Sequence, residues 1–153
     1  MRHSFAALIL GFALTASAAI RPADLSIGGI EVGTAEPSVI ERLGKPMRRV
    51  ETGEGVELHY PGLVVSVGWL EDPKLGRERR VFSLYGTGPK ACTPQGLCPG
   101  VPVAAAGRLY GHVQPTRRET GTYLEYQPVG ALCWLQVSAP SGVIRALAVA
   151  CQP

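Results

Sequence analysis

The chain says nearly the same thing twice. LGKPMRRVETG at 43–53 returns in loosened form as LYGHVQPTRRETG at 109–121. Around these phrases the landmarks recur in one order: Gly33 and Gly100, Leu43-Gly44 and Tyr110-Gly111, Arg48-Arg49 and Arg117-Arg118, Tyr60 and Tyr126. Each half then closes on two strand-like runs, LVVSVGWL and RRVFSLYG in the first, ALCWLQVS and GVIRALAVAC in the second. The offset is about 67 residues, with slips of one or two, as an internal repeat requires. Two copies are too few for a solenoid, so the pattern reads as a tandem duplication with units 29–90 and 91–153. A fold for one half must therefore also suit the other.

Within each unit a helix comes first. Thr34 is placed to cap a short helix whose Val39, Ile40 and Leu43 share one face; Gly44 supplies a left-handed exit and Pro46 prevents continuation. The second unit repeats this over 102–110, stopped by Gly111. Alternation then predicts strands over 57–60, with Leu58 and Tyr60 inward, and 63–67, with Leu63, Val65 and Val67 inward. In the last hairpin Cys133, Leu135 and Val137 share the core face with Leu147, Val149 and Cys151. One short helix cannot cover a one-sided sheet, so the units are expected to pair side by side. The predicted class is α+β: two tandem copies of short helix followed by antiparallel strands, forming one sheet with helices on one face. The repeated phrase is then a helix exit and a polar turn, with Arg48, Arg49, Arg117 and Arg118 as solvated turn charges.

The segment 1–18 is set apart from this pattern. MRHSFAALILGFALTASAA has a basic start (Arg2, His3), an apolar run over 5–14 and Ala16-Ser17-Ala18, which together make the pattern of a secretory signal peptide. The apolar run is too short to span a bilayer comfortably and no second one follows. No cysteine stands behind it to take a lipid. The mature chain is expected to begin near Ala19, with 19–28 as an N-terminal linker, and to be periplasmic or secreted with no membrane span. Losing Arg2 lowers the formal charge from +3 to +2, too little to point to nucleic acid. The 19 glycines and 13 prolines, against 7% aromatics, favour short strands and turns over long helices. All four cysteines follow the signal, and an even count in an oxidising compartment predicts disulfides. Cys92–Cys98, bracketing the turn ACTPQGLC, and Cys133–Cys151, joining LCWLQV to VIRALAVAC, are the favoured pairs. No C-x-x-C or H-x-x-x-H spacing offers a zinc site instead.

The run G-I-x-V-G-x-x-x-x-x-V-x-x-x-L-G-x-P at 29–46, followed by a tyrosine-ended strand, resembles a small envelope module. It is similar to the domains of the beta-lactamase inhibitor protein and of the small outer-membrane assembly lipoproteins of the SmpA/OmlA group. The likeness covers some twenty residues of the first half and recurs loosely in the second. It implies a helix or helix pair on a four-stranded antiparallel sheet, two such units in tandem, and action by binding other proteins without catalysis. The lipidated cysteine of the lipoproteins has no counterpart here, and no contact residue of the inhibitor can be matched to a position of this chain.

Chemistry-bearing arrangements are missing from the sequence. There is no G-x-S-x-G elbow and no glycine-rich phosphate loop, and four paired cysteines leave no thiol nucleophile. His59 and His112 have no partners at metal-ligand spacing and read as surface residues. The expectation is therefore a protein that is not an enzyme, with no catalytic residue, metal or cofactor. Binding candidates lie on the outer sheet face. There Trp134 and Gln136 sit beside Ala146, Ala148 and Ala150; Tyr123 and Glu125 come from the preceding strand, and Glu57, His59, Val64 and Ser66 from the first unit. Small residues around an outward tryptophan leave a shallow platform with one large anchor, the composition of a binding hot spot. Trp69 opens the charged insert WLEDPKLGRERR at 69–80, which reads as an exposed loop. Trp134, Gln136, Tyr123, Glu125, His59 and Trp69 form the candidate set. The expected function is binding of another envelope or extracellular protein, as an inhibitor or immunity-type factor does. A small-ligand or cell-wall-fragment binder and an envelope-assembly accessory are the alternatives.

Overall fold

A computed structural model describes residues 19–69, 74 and 76–152. The expected signal peptide, 1–18, lies outside the described residues, as do 70–73 and 75 of the expected loop, and residue 153. After a 3-10 turn at Pro22–Asp24, β1 (Ser26–Ile27) and β2 (Ile30–Glu31) form a small hairpin. Helix α1 (Glu36–Leu43) and four strands follow: β3 (Arg48–Glu51), β4 (Val56–Tyr60), β5 (Leu63–Gly68) and β6 (Arg80–Gly86). A second helix, α2 (Ala104–Tyr110), leads to β7 (Thr116–Arg118), β8 (Gly121–Tyr126), β9 (Cys133–Ser138) and β10 (Ala146–Cys151). The eight later strands make one sheet in the order β3-β4-β5-β6-β10-β9-β8-β7, every neighbour antiparallel. The class is α+β, and two four-strand meanders meet at β6 and β10.

Period-two alternation gives the sheet one buried face. Leu58, Val65, Leu84, Val149 and Leu135 are fully buried and occupy one continuous cross-strand row. Leu63, Val67, Val137 and Leu147 extend the same layer, so the inward residues of β4 and β5 and the apolar ones of the last hairpin are those the alternation predicts, while Cys133 and Cys151 are only partly buried. Val39 of α1, Ala106 and Tyr110 of α2, and Ile30 of β2 belong to the same core. Both expected disulfides form, and Cys133 and Cys151 are direct partners across β9 and β10.

Both helices stop at a glycine. Gly44 (φ 81°, ψ −172°) and Gly111 (φ 90°, ψ 167°) take a positive-φ extended conformation, not the left-handed helical one, and only glycine enters it readily. Their N–H groups close the last turns onto Ile40 O (2.8 Å) and Gly107 O (3.0 Å). Tyr60 donates its hydroxyl to Gly44 O (3.1 Å), tying strand β4 to the helix exit.

Three further expectations need correction. Thr34 does not cap α1; the N-cap is Ala35, with no side-chain bond. The residue before β6 does that work: Glu36 N–H donates to Arg79 O (2.9 Å), and Thr34 is drawn into backbone pairing, its carbonyl accepting from Val81 N–H (2.9 Å). The arginine pairs are not turn charges either. Arg48-Arg49 begin β3 and Arg117-Arg118 end β7, the two edge strands of the sheet. An edge exposes unpaired backbone groups, and charged side chains there oppose sheet-to-sheet association. Arg49 Nη1 also donates to Glu36 Oε1 (2.6 Å), and Arg79 Nε to Glu36 Oε2 (2.8 Å), so a nearly buried carboxylate holds helix, edge strand and loop root together.

Residues 19–28, expected as a linker, contribute to the core. Leu25 and Ile27 are buried, and Asp24 is fully so. The Asp24 carboxylate accepts from Arg21 Nε and Nη2 (both 3.2 Å), from the Arg21 backbone N–H (2.9 Å) and from Gln95 Nε2 (3.0 Å). Burial alone would push this carboxyl up; the bonds from Arg21 and Gln95 together outweigh it and hold it below its ordinary range. Asp24→Asn should therefore lower stability at pH 7 by about 1.5–3 kcal/mol, the worth of hydrogen bonds to a charged group. A urea midpoint shifted down at unchanged slope is the expected result; coincident curves would return this segment to the status of a tether.

A candidate binding face on the sheet

The face opposite the core carries a second row of side chains, set by the same register. Arg48, His59, Val64, Tyr85, Ala148, Gln136 and Glu125 are successive cross-strand partners from β3 to β8. A parallel row, one step along, contains Val50, Glu57, Ser66 and Ser83, with Trp134 opposite Ala150 on the far side. Tyr85 stands at the centre, 48% exposed.

Four of the six candidate residues come together on β8 and β9. Glu125 takes a two-pronged bond from Arg118, Nε to Oε1 (2.9 Å) and Nη2 to Oε2 (2.7 Å), and Gln136 Nε2 donates to Oε1 (2.8 Å). Tyr123 donates to Thr120 Oγ1 (2.9 Å). Trp134 is half-buried, and its indole Nε1 is shielded from solvent without a hydrogen-bond partner among the described residues. It is a lower, more enclosed anchor than an outward tryptophan implies. His59 stands apart, five strand spacings from Glu125, or about 24 Å. Its Nε2 lies 2.9 Å from Glu57 Oε2 and its Nδ1 3.4 Å from Arg48 Nη2. Arg48 has only donors, so Nδ1 accepts and Nε2–H donates to Glu57. Trp69, 66% exposed, follows the end of β5 and lines a hollow of about 410 Å³ with Pro37, Ile40 and Arg79. Among the described residues no cluster of three or more His, Cys, Asp or Glu could hold a metal ion, and no helix is long and apolar enough to cross a membrane.

Sequence reasoning misses Tyr85 and Phe82. Ser66 pairs with Ser83 and Val67 with Val81, which leaves Phe82 as the extra residue of a β-bulge. The signal is present: Val81 and Leu84 are both buried although three apart, a spacing that regular alternation forbids. Beside the bulge lies an open depression of about 490 Å³ lined by Thr52, Glu54, Glu57, Ser66, Phe82 and Ser83 among others.

No protein-family model matches the chain, and no curated protein does. Two solved structures share its fold. One is an extracellular protein containing a SCP domain from Bacillus anthracis str. Ames, at 13% identity and a TM-score of 0.55. The match takes in 79% of this chain and 44% of that one, so this chain spans less than half of that protein. The other is a DUF4309 family protein from Bacillus subtilis subsp. subtilis str. 168, at 13% identity and a TM-score of 0.53, covering 81% of this chain and 83% of the other. At such identity the likeness is one of fold.

Arg118 holds the Glu125 carboxyl below its ordinary range; partial burial opposes this, and the Gln136 bond adds to it. A depressed carboxyl gives stability that is present above the unfolded value, about 4.3, and lost as pH falls through the lowered folded one. Glu125→Gln should accordingly be less stable than the wild type near pH 7, with the gap closing below about pH 4. Thermal melts across that range test it, and a gap independent of pH would contradict the ion pair's role.

Proposed function

We propose that this chain is an exported, non-enzymatic module that binds another envelope or extracellular protein through the outer face of its sheet. The observation that carries the reading is the order of residues along the central row. Its middle is apolar, Val64, Tyr85 and Ala148, and its ends are polar, Arg48 and His59 on one side and Gln136 and Glu125 on the other. An apolar centre with a polar rim is the anatomy of a protein–protein interface. The eight strands span about 34 Å and their paired lengths about 17 Å, on the order of 600 Å². A standard interface takes about 800 Å² from each partner, so a partner must reach past the strands to the turns that flank them. Trp69, expected beside this face, lies instead against α1 on the helix side, with Pro37 and Ile40.

Export is supported by the two disulfides and by the signal-like segment 1–18. In the same reading the two meanders are tandem copies with their helices on the core side of the sheet. Each follows a helix ended by a glycine of the same unusual conformation, and each has an arginine pair on its edge strand. The chain would then act as inhibitor-like modules do, by contact alone. A small-ligand binder is the second reading, and an envelope-assembly accessory role the third. A small-ligand site favours an apolar pocket, whereas the depression on this face is open and lined mostly by polar side chains, which supports contact by a protein.

Tyr85→Ala is the test substitution, since an exposed strand residue is replaced at little cost to folding. Quantitative capture from envelope extract should yield a protein that the wild type retains and Tyr85→Ala and Trp134→Ala lose, with affinity about 30-fold weaker or worse, as for a hot spot. Equal recovery on all three baits would overturn the assignment of this face.

A further inference from the structure

We propose that the depression beside the β-bulge receives an arginine side chain of the partner protein. This rests on the protein-binding reading and gives that partner a chemistry. The depression lies across β4, β5 and β6, where Glu57, Ser66 and Ser83 are successive cross-strand partners. Strand spacing sets the backbones of Glu57 and Ser83 about 10 Å apart. The bulge turns Phe82 onto this face, and its ring lies over Gly68: a Cβ there would come within 3.1 Å of Phe82 Cε1 and 2.7 Å of Glu54 O. A glycine at position 68 therefore lets the aromatic ring lie against the backbone as a floor.

The walls accept hydrogen bonds and carry negative charge. Thr52 Oγ1 accepts from the Gly55 and Glu54 N–H groups (3.1 and 3.4 Å), a local motif that presents the Glu54 side chain from the β3–β4 turn. Glu54 is exposed and makes no ion pair, and the Ser66 and Ser83 hydroxyls make no hydrogen bond, among the described residues. Glu57 shares one oxygen with His59 and is 38% exposed along its side chain, so it keeps acceptor capacity for a ligand. Among the described residues no lysine, arginine or histidine lines the depression, on a chain with 15 basic and 12 acidic residues.

A guanidinium suits this lining better than other common groups. It offers five donors and no acceptor, stays charged, and its plane stacks on an aromatic face while its edge meets carboxylates. A carboxylate or phosphate would meet Glu54 and Glu57 and be repelled. A neutral saccharide could stack on Phe82 and donate hydroxyls to the carboxylates, but it brings no charge to offset theirs. Arginine is also among the residues that carry most of the energy at interfaces.

Amide NMR of the mature chain titrated with N-acetyl-arginine amide tests the site without any partner. Saturable shifts at Ser66, Phe82 and Ser83 are expected. N-acetyl-citrulline amide, the neutral isostere, should bind about tenfold more weakly or worse, as should arginine to Glu54→Gln/Glu57→Gln. Both glutamates are solvent-accessible, so that variant should keep the wild-type spectrum elsewhere. Equal binding of the citrulline probe, preference for an N-acetylglucosamine dimer, or indifference to the double substitution would overturn the proposal. Arginine shifts in a protein that retains no partner would keep this site and remove the protein-binding reading; a partner held equally by wild type and double variant would do the reverse.

Discussion

Three residue pairs, Gly86–Leu147, Tyr85–Ala148 and Leu84–Val149, join two four-strand meanders into one sheet. Separated at this seam, each meander would present two open edges and a half-covered apolar face, with one short helix of seven or eight residues to shield it. Joined, they share a core in which Leu84 and Val149 are both fully buried, and only β3 and β7 remain as edges. Those are the strands that carry the arginine pairs. The phrase that occurs twice in the sequence therefore encodes a helix stop and a guarded edge, one for each end of the sheet.

The seam also shapes the candidate face. Pairing puts Ala148, a small side chain, beside Tyr85, so the ring at the centre of the sheet stands clear of its neighbour on that side. Charged pairs are kept to the flanks: Arg118 with Glu125 on one, Arg48, His59 and Glu57 on the other. Groups already satisfied within the chain contribute orientation at a rim more than raw affinity. Among the described residues the carboxylate at the turn, Glu54, and the two serines lining the same depression have no such internal partner, which leaves them open to a cationic guest.

Period and chemistry that act locally were legible in the sequence. The inward residues of β4, β5, β9 and β10 follow from alternation, and both disulfides from spacing and turn residues. What escaped depends on contacts between distant segments. Thr34 has the chemistry of a cap, yet its backbone pairs with Val81, and the helix starts against Arg79 instead. Arg48 and Arg117 look like turn residues until the strand order shows that they sit on edges. Residues 19–28 look like a linker because the carboxylate of Asp24 finds a partner at Gln95, 71 positions away. Phe82 is hidden by an inserted residue in β6, which breaks the two-residue rhythm on which strand reading depends.

Glu36 reaches Arg49 and Arg79 at once, and its own N–H returns to the Arg79 carbonyl. With Ala35 bridged to Arg80, both chain ends of the insert between β5 and β6 are moored to fixed scaffold, one by the strand it leaves and one by this clamp. The register of β5 against β6 is therefore held from outside the insert, by α1 and by the strands themselves. The helix that opens the first meander thus also fixes where its last strand begins.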